Sequence, residues 1–181
     1  TNPGPNSVTK IRASDGVILG SFESGFANAT PYAIAFDGES IWFTDILNNF
    51  AIRKNVASGG TTAFVPVGQS PNAVAFDGAN IWVANTNSGS VTKIRAANAS
   101  TVETYPVTAS GAGARGIAFD GTHIWVSSSS FNVTKIRASD GANLGIFPIS
   151  AFGFTQAVGF DGRFIWVTDS VGGLVAKIRP T

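Results

Sequence analysis

Four polar side chains, Asp45, Asn85, Ser128 and Asp169, each follow a tryptophan by three residues, at Trp42, Trp82, Trp125 and Trp166. Two carboxylates, an amide and a hydroxyl could together hold a polar ligand, provided the fold gathers equivalent positions of successive repeats at one place. They are the ligand-binding candidates of this sequence. The competing reading is that each caps its own loop by hydrogen bonding to nearby backbone. Asp45 and Asp169 could also act as the paired carboxylates of an acid–base hydrolysis, which requires them to lie close together. Beyond these the catalytic inventory is thin. His123 is the single histidine and the chain has no cysteine. Thiol chemistry, thiolate metal sites and disulfides are therefore excluded, and a triad or a histidine-rich metal centre is difficult to assemble. We expect no catalytic residue, no bound metal and no cofactor.

Other residues with chemical potential recur just as regularly. Asp37, Asp77, Asp120 and Asp161 each precede a glycine, at intervals of 40 to 43 residues. A calcium site would need several of these oxygens to converge. Hairpin turns explain them without a ligand, the Asp accepting turn N–H groups and the Gly supplying an unusual dihedral. The four tryptophans lie within apolar runs and are expected to fill the space between sheets; exposed, they would be sugar-stacking platforms. The pairs Lys10/Arg12, Lys93/Arg95, Lys135/Arg137 and Lys177/Arg179, with Arg53 at the matching place, alternate along strands. Their stems are expected to cover a neighbouring sheet while the charges reach water; the alternative is a sulfated or acidic glycan partner. Asn28, Asn98 and Asn132 open Asn-x-Ser/Thr triplets and are glycosylation candidates, Asn98 first among them because it lies in an expected turn.

The elements that must position these residues are strands. Ala75 to Val83 reads Ala-Phe-Asp-Gly-Ala-Asn-Ile-Trp-Val, with close copies at Ala35 to Phe43, Ala118 to Val126 and Gly159 to Val167. β-branched runs of about five residues, bounded by Gly, Asn, Asp and Ser, predict four short antiparallel strands per unit. No window carries a 3.6-residue apolar period. Four strands at this repeat length match a propeller blade. The expected organisation is one all-β domain over residues 1–181, with blade-like units at about 1–30, 31–70, 71–113, 114–154 and 155–181, roughly four blades in all.

Composition narrows the function further. At 181 residues and 44% apolar the chain can bury a core, and its net charge of +1 with dispersed basic residues leaves no footprint for nucleic acid. No apolar run approaches a membrane span, and the first residues do not read as the basic-then-apolar pattern expected of a signal peptide. The absence of any Met is what a processed or excised product would show.

The unit Ala-Val-Ala-Phe-Asp-Gly-x-x-Ile-Trp-Val, followed by Val-Thr-Lys-Ile-Arg-Ala-Ser-Asp-Gly, resembles the YVTN and NHL-type β-propeller repeats of bacterial and archaeal exported proteins over nearly the whole chain. It is also similar to the repeats of virginiamycin B lyase-like propellers, whose best-known member is a metal-assisted lyase. The resemblance implies a propeller scaffold, an extracellular or cell-surface location and interaction as the role. It also implies the alternative of a lyase or hydrolase at the channel mouth, which would depend on histidines and an acidic residue there; this sequence supplies His123 alone. A glycan-binding module is a further alternative.

The strand count does not close. The N-terminus supplies a third and fourth strand, the C-terminus a first, second and third, so Val8 to Arg12 and Val175 to Arg179 duplicate one another. Either one duplicate is displaced, or the chain is an open arc or part of a larger ring. Unpaired edges invite pairing with another chain. The expected partners are therefore the protein itself, as a homo-oligomer or filament, or other surface proteins and glycans. The expected function is a non-catalytic structural or binding scaffold.

Overall fold

The computed structural model describes residues 6–107, 112–149 and 154–180. All regular structure among them is β. The first sheet is a hairpin of β1 (Ser7–Ile11) and β2 (Ile18–Glu23). The second runs β3 (Pro31–Phe36), β4 (Ser40–Asp45), β5 (Phe50–Asn55) and β6 (Thr61–Pro66). The third runs β7 (Pro71–Phe76), β8 (Asn80–Asn85), β9 (Ser90–Arg95) and β10 (Ser100–Pro106), and the fourth β11 (Ala114–Phe119), β12 (His123–Ser128), β13 (Asn132–Arg137) and β14 (Asn143–Pro148). The fifth has three strands, β15 (Thr155–Phe160), β16 (Ile165–Asp169) and β17 (Leu174–Ile178). Each sheet is an antiparallel meander of strands consecutive in sequence. No helix among the described residues is long and apolar enough to cross a membrane.

The sheets stand side by side in chain order. Their first strands are neighbours, β3 with β7, β7 with β11 and β11 with β15. Apolar side chains fill each space between sheets: Trp42 meets Ile81, Val83 and Ile94, and Trp125 meets Ile165 and Val167. The hairpin β1–β2 covers the far side of the second sheet through Val8, which packs with Phe43 and Ile52. Among the described residues the fifth sheet shares no apolar cluster with the first or second, so the five sheets form an open arc. Both duplicated strands, β1 and β17, are in place, one in a sheet that lacks its first two strands and one in a sheet that lacks its fourth.

Glycine is required where sheets touch. Gly141, in the β13–β14 turn at φ +76°, lies under Tyr105 of the preceding sheet, and a Cβ there would fall 2.1 Å from the ring. Gly78, at φ +97°, has only open space around it. Gly141→Ala is expected to lower stability by about 2–5 kcal/mol through overpacking added to backbone strain. Gly78→Ala should cost only the strain, roughly 1–2 kcal/mol. Urea midpoints at constant m-value would check the difference.

Candidate functional site

The repeated Asp-Gly turn is where the sequence concentrates its chemistry, and it folds identically four times. In each copy one carboxylate oxygen of Asp37, Asp77, Asp120 or Asp161 accepts the backbone N–H groups two and three residues on, as Asp77 does from Ala79 at 2.9 Å and Asn80 at 2.6 Å. The other oxygen accepts the indole N–H of the tryptophan five residues on, at 2.7 Å in all four. A turn spans the hairpin and the next strand brings the indole back beside it, so one Asp fixes both the turn and the Trp rotamer. Burial alone would push the Asp77 and Asp120 carboxyls up. Hydrogen bonds from the indole and the turn amides outweigh it and hold both below the ordinary carboxylate value. The five-residue Asp-to-Trp spacing is visible in the sequence; that the two side chains bond across it needs the hairpin register, which pairs Phe76 with Ile81 and Ala75 with Trp82.

A cation completes each unit. Lys93 Nζ lies 5.0 Å above Trp82, Lys135 5.2 Å above Trp125, Lys177 4.9 Å above Trp166, and the Arg53 guanidinium 5.8 Å from Trp42. The expectation that these charges reach water is corrected for the central sheets: Lys93 is only 5% and Lys135 6% exposed. Lys93 donates to the carbonyls of Ala138 (2.7 Å) and Ser139 (3.2 Å) in the next sheet's hairpin turn. A buried ammonium needs such acceptors, and turn carbonyls that lack strand partners supply them. Lys93→Met keeps much of the apolar stem but removes the donor, and should lower stability by about 1–3 kcal/mol, read by chemical denaturation.

The four ligand-binding candidates are all buried at the ends of second strands. Asp45 Oδ1 accepts N–H groups from Thr30, Leu47 and Asn48, while its Oδ2 accepts the Asn48 amide. Asp169 accepts from Phe154, Val171 and Gly172. Ser128 donates to Asn132 Oδ1. Asn85 donates to the hydroxyls of Ser90 and Thr92, and its Oδ1 is buried without a protein partner among the described residues. Each is thus engaged with its own sheet and adjacent loop.

His123 Nδ1 lies 3.2 Å from Asp120 Oδ2, the oxygen that also takes the Trp125 indole; Asn80 holds the same relation to Asp77. Among the described residues no three His, Cys, Asp or Glu side chains come together as a metal site. Of the glycosylation candidates, Asn28 and Asn98 are exposed in turns. Asn98 Oδ1 accepts from Ser100, and Asn132 is half-buried with its amide on Ser130.

What sequence reasoning missed is the difference between the tryptophans. Trp42, Trp82 and Trp125 are at most 1% exposed, whereas Trp166 is 37% exposed on the outer face of the fifth sheet. The expectation of a buried tryptophan in every unit is corrected there, because no further sheet covers it. At the other end of the arc Ile34 and Phe36 are 45% and 56% exposed.

Solved structures place this architecture. The chain is similar to a catalytically inactive virginiamycin B lyase from Staphylococcus aureus with quinupristin, at 17% identity and a TM-score of 0.79, covering 97% of this chain and 63% of that one. It is similar to a streptogramin B lyase at 17% identity and a TM-score of 0.80, covering 98% and 63%. The fold is a β-propeller. The computationally designed Ika4 protein also superposes, at 11% identity and a TM-score of 0.76, over 88% of this chain and 97% of that one. The chain thus spans about three-fifths of the length of the two lyases. No family model matches it, and no curated protein sequence does.

Proposed function

We propose that the protein is a non-catalytic extracellular propeller scaffold of the YVTN/NHL type that associates with copies of itself through the two open ends of its arc. The observation that carries this reading is the exposure of Trp166, whose three counterparts are sealed between sheets. An end surface built like an internal interface is apolar and shape-ready for another sheet, and its uncovered strand edges carry free backbone groups. The repeated residues support a scaffold as well. Asp, Trp and Lys are spent on turns and inter-sheet packing, and the single histidine is held at one of those turns.

Light scattering with native mass measurement is expected to show assemblies larger than the 18.7 kDa chain. A monomer at every concentration would overturn self-association. Incubation with a streptogramin B and a divalent metal is expected to leave the antibiotic intact; turnover that is lost in Asp169→Ala would replace the scaffold with a lyase.

A further inference from the structure

The interface between the third and fourth sheets shows what each end of the arc lacks. There Trp82 packs with Val91 of its own sheet and with Ile117 and Ile124 of the next, under the ammonium of Lys93. By strand register, the counterparts of Val91, Lys93, Ile117 and Ile124 at the N-terminal end are Val8, Lys10, Ile34 and Ile41. Those four side chains line a cavity of about 120 Å³ between β1 and the second sheet. It is the seat of a tryptophan that the first sheet, without a second strand, does not possess. At the opposite end Trp166 stands without a seat.

A second pair of features matches in the same sense. In two interfaces a fourth-strand aromatic lies on the turn glycine of the next sheet: Phe22 on Gly59 and Tyr105 on Gly141. The turn Ile11 to Gly16 repeats Ile136 to Gly141 residue for residue, with the same 2.8 Å Arg–Asp ion pair, yet nothing lies within 4 Å of a Cβ built on Gly16. Phe147, the fourth-strand counterpart of Phe22 and Tyr105, is 36% exposed.

The duplicated strands indicate how the ends join. Ser7 to Arg12 reads Ser-Val-Thr-Lys-Ile-Arg, identical to Ser90 to Arg95, whereas Leu174 to Arg179 reads Leu-Val-Ala-Lys-Ile-Arg. Asn85 bonds the hydroxyls of Ser90 (3.2 Å) and Thr92 (2.9 Å) on its third strand. In β17 the two corresponding places are held by Leu174 and Ala176, whereas β1 carries the same two hydroxyls, on Ser7 and Thr9, as the third strand of the third sheet.

We propose that the fifth sheet of one copy takes β1 and β2 of a second copy as its third and fourth strands. β1 displaces β17, Trp166 enters the cavity lined by Val8, Lys10, Ile34 and Ile41, and Phe147 settles on Gly16. Joined so at both ends, two copies close into one ring in which every sheet has four strands. The donor is a second copy because, among the described residues, the fifth sheet shares neither a strand pairing nor an apolar cluster with the first sheet of its own chain. The proposal specifies the contact behind the self-association inferred above and rests on that reading. A head-to-tail contact of this kind ends in a closed ring when the rotation completes a turn.

The chain has no cysteine, so engineered pairs report the strand exchange cleanly. In the internal register Ala84 faces Val91, which places Thr168 opposite Val8 of the second copy; with β17 in place Thr168 faces Val175. Under mild oxidation, Thr168→Cys with Val8→Cys is expected to give a two-chain covalent species. Thr168→Cys with Val175→Cys should give little intrachain link. Native mass should be twice that of one chain, and Trp166→Ala should return it to a single chain with unchanged β-sheet circular dichroism. An oligomer in which only the Val175 pair links would overturn strand exchange while leaving the self-associating scaffold. A monomer linked through Val8 and Thr168 would overturn the second copy in favour of closure within one chain. A monomer without that link would overturn both readings.

Discussion

Trp82→Ala is expected to lower the unfolding free energy by about 3–5 kcal/mol, the range for deleting a fully buried aromatic. The indole is 0% exposed, packs with Ile117, Ile124 and Val126 of the next sheet, stacks on Tyr105 at 5.9 Å and bonds Asp77. Its removal opens a cavity between two sheets and strips Asp77 of one donor. In the isolated chain the same change at Trp166 should cost clearly less, because 37% of that residue is already in contact with water. Guanidinium unfolding followed by far-ultraviolet circular dichroism would check the order. Equal losses at the two positions would mean that Trp166 is sealed in solution as Trp82 is in the interior.

Asp77→Ala should cost about 1–3 kcal/mol, since it leaves the Trp82 indole and the Ala79 and Asn80 amides without their acceptor in a half-buried turn. Its pH dependence follows from the direction of the shift. Asp77 and Asp120 are held below the ordinary carboxylate value in the folded chain. Their contribution is therefore complete above the unfolded value of about 4 and is lost as pH falls through the lower folded value. The gap between the parent chain and Asp77→Asn should stay constant from pH 7 to about 5 and narrow below pH 4. Denaturant midpoints across that range would test it; a gap that widened on acidification would reverse the assignment.

These two residues show where reading the sequence works. The Asp-Gly turns and the Trp periodicity are local, since φ near +97° at Gly78 and the continuous apolar run Ile81 to Ala84 around Trp82 are written in a few adjacent residues. Sheet membership followed from the same spacing. The Lys–carbonyl contacts were not legible, because Lys93 meets a turn 45 residues away whose carbonyls are positioned only once β13 and β14 have paired and their sheet has packed on the third. The engagement of Asp45, Asn85, Ser128 and Asp169 with their own loops was open for a related reason. An acceptor three residues beyond a tryptophan looks the same whether it faces a channel or its own turn, and only the chain path distinguishes them.

The recurrence of Asp-Gly-x-x-Ile-Trp by itself determined that the chain is a row of antiparallel four-stranded units, because hairpin dihedrals and strand alternation act within one unit. It also showed that a third strand is duplicated at the two ends. Only the tertiary structure decided that the duplicates leave an open arc, with a cavity lined by Val8 and Ile34 at one end and an uncovered tryptophan at the other. Whether an end is covered depends on the summed rotation from sheet to sheet, which arises from side-chain packing across every interface and is written in no single repeat.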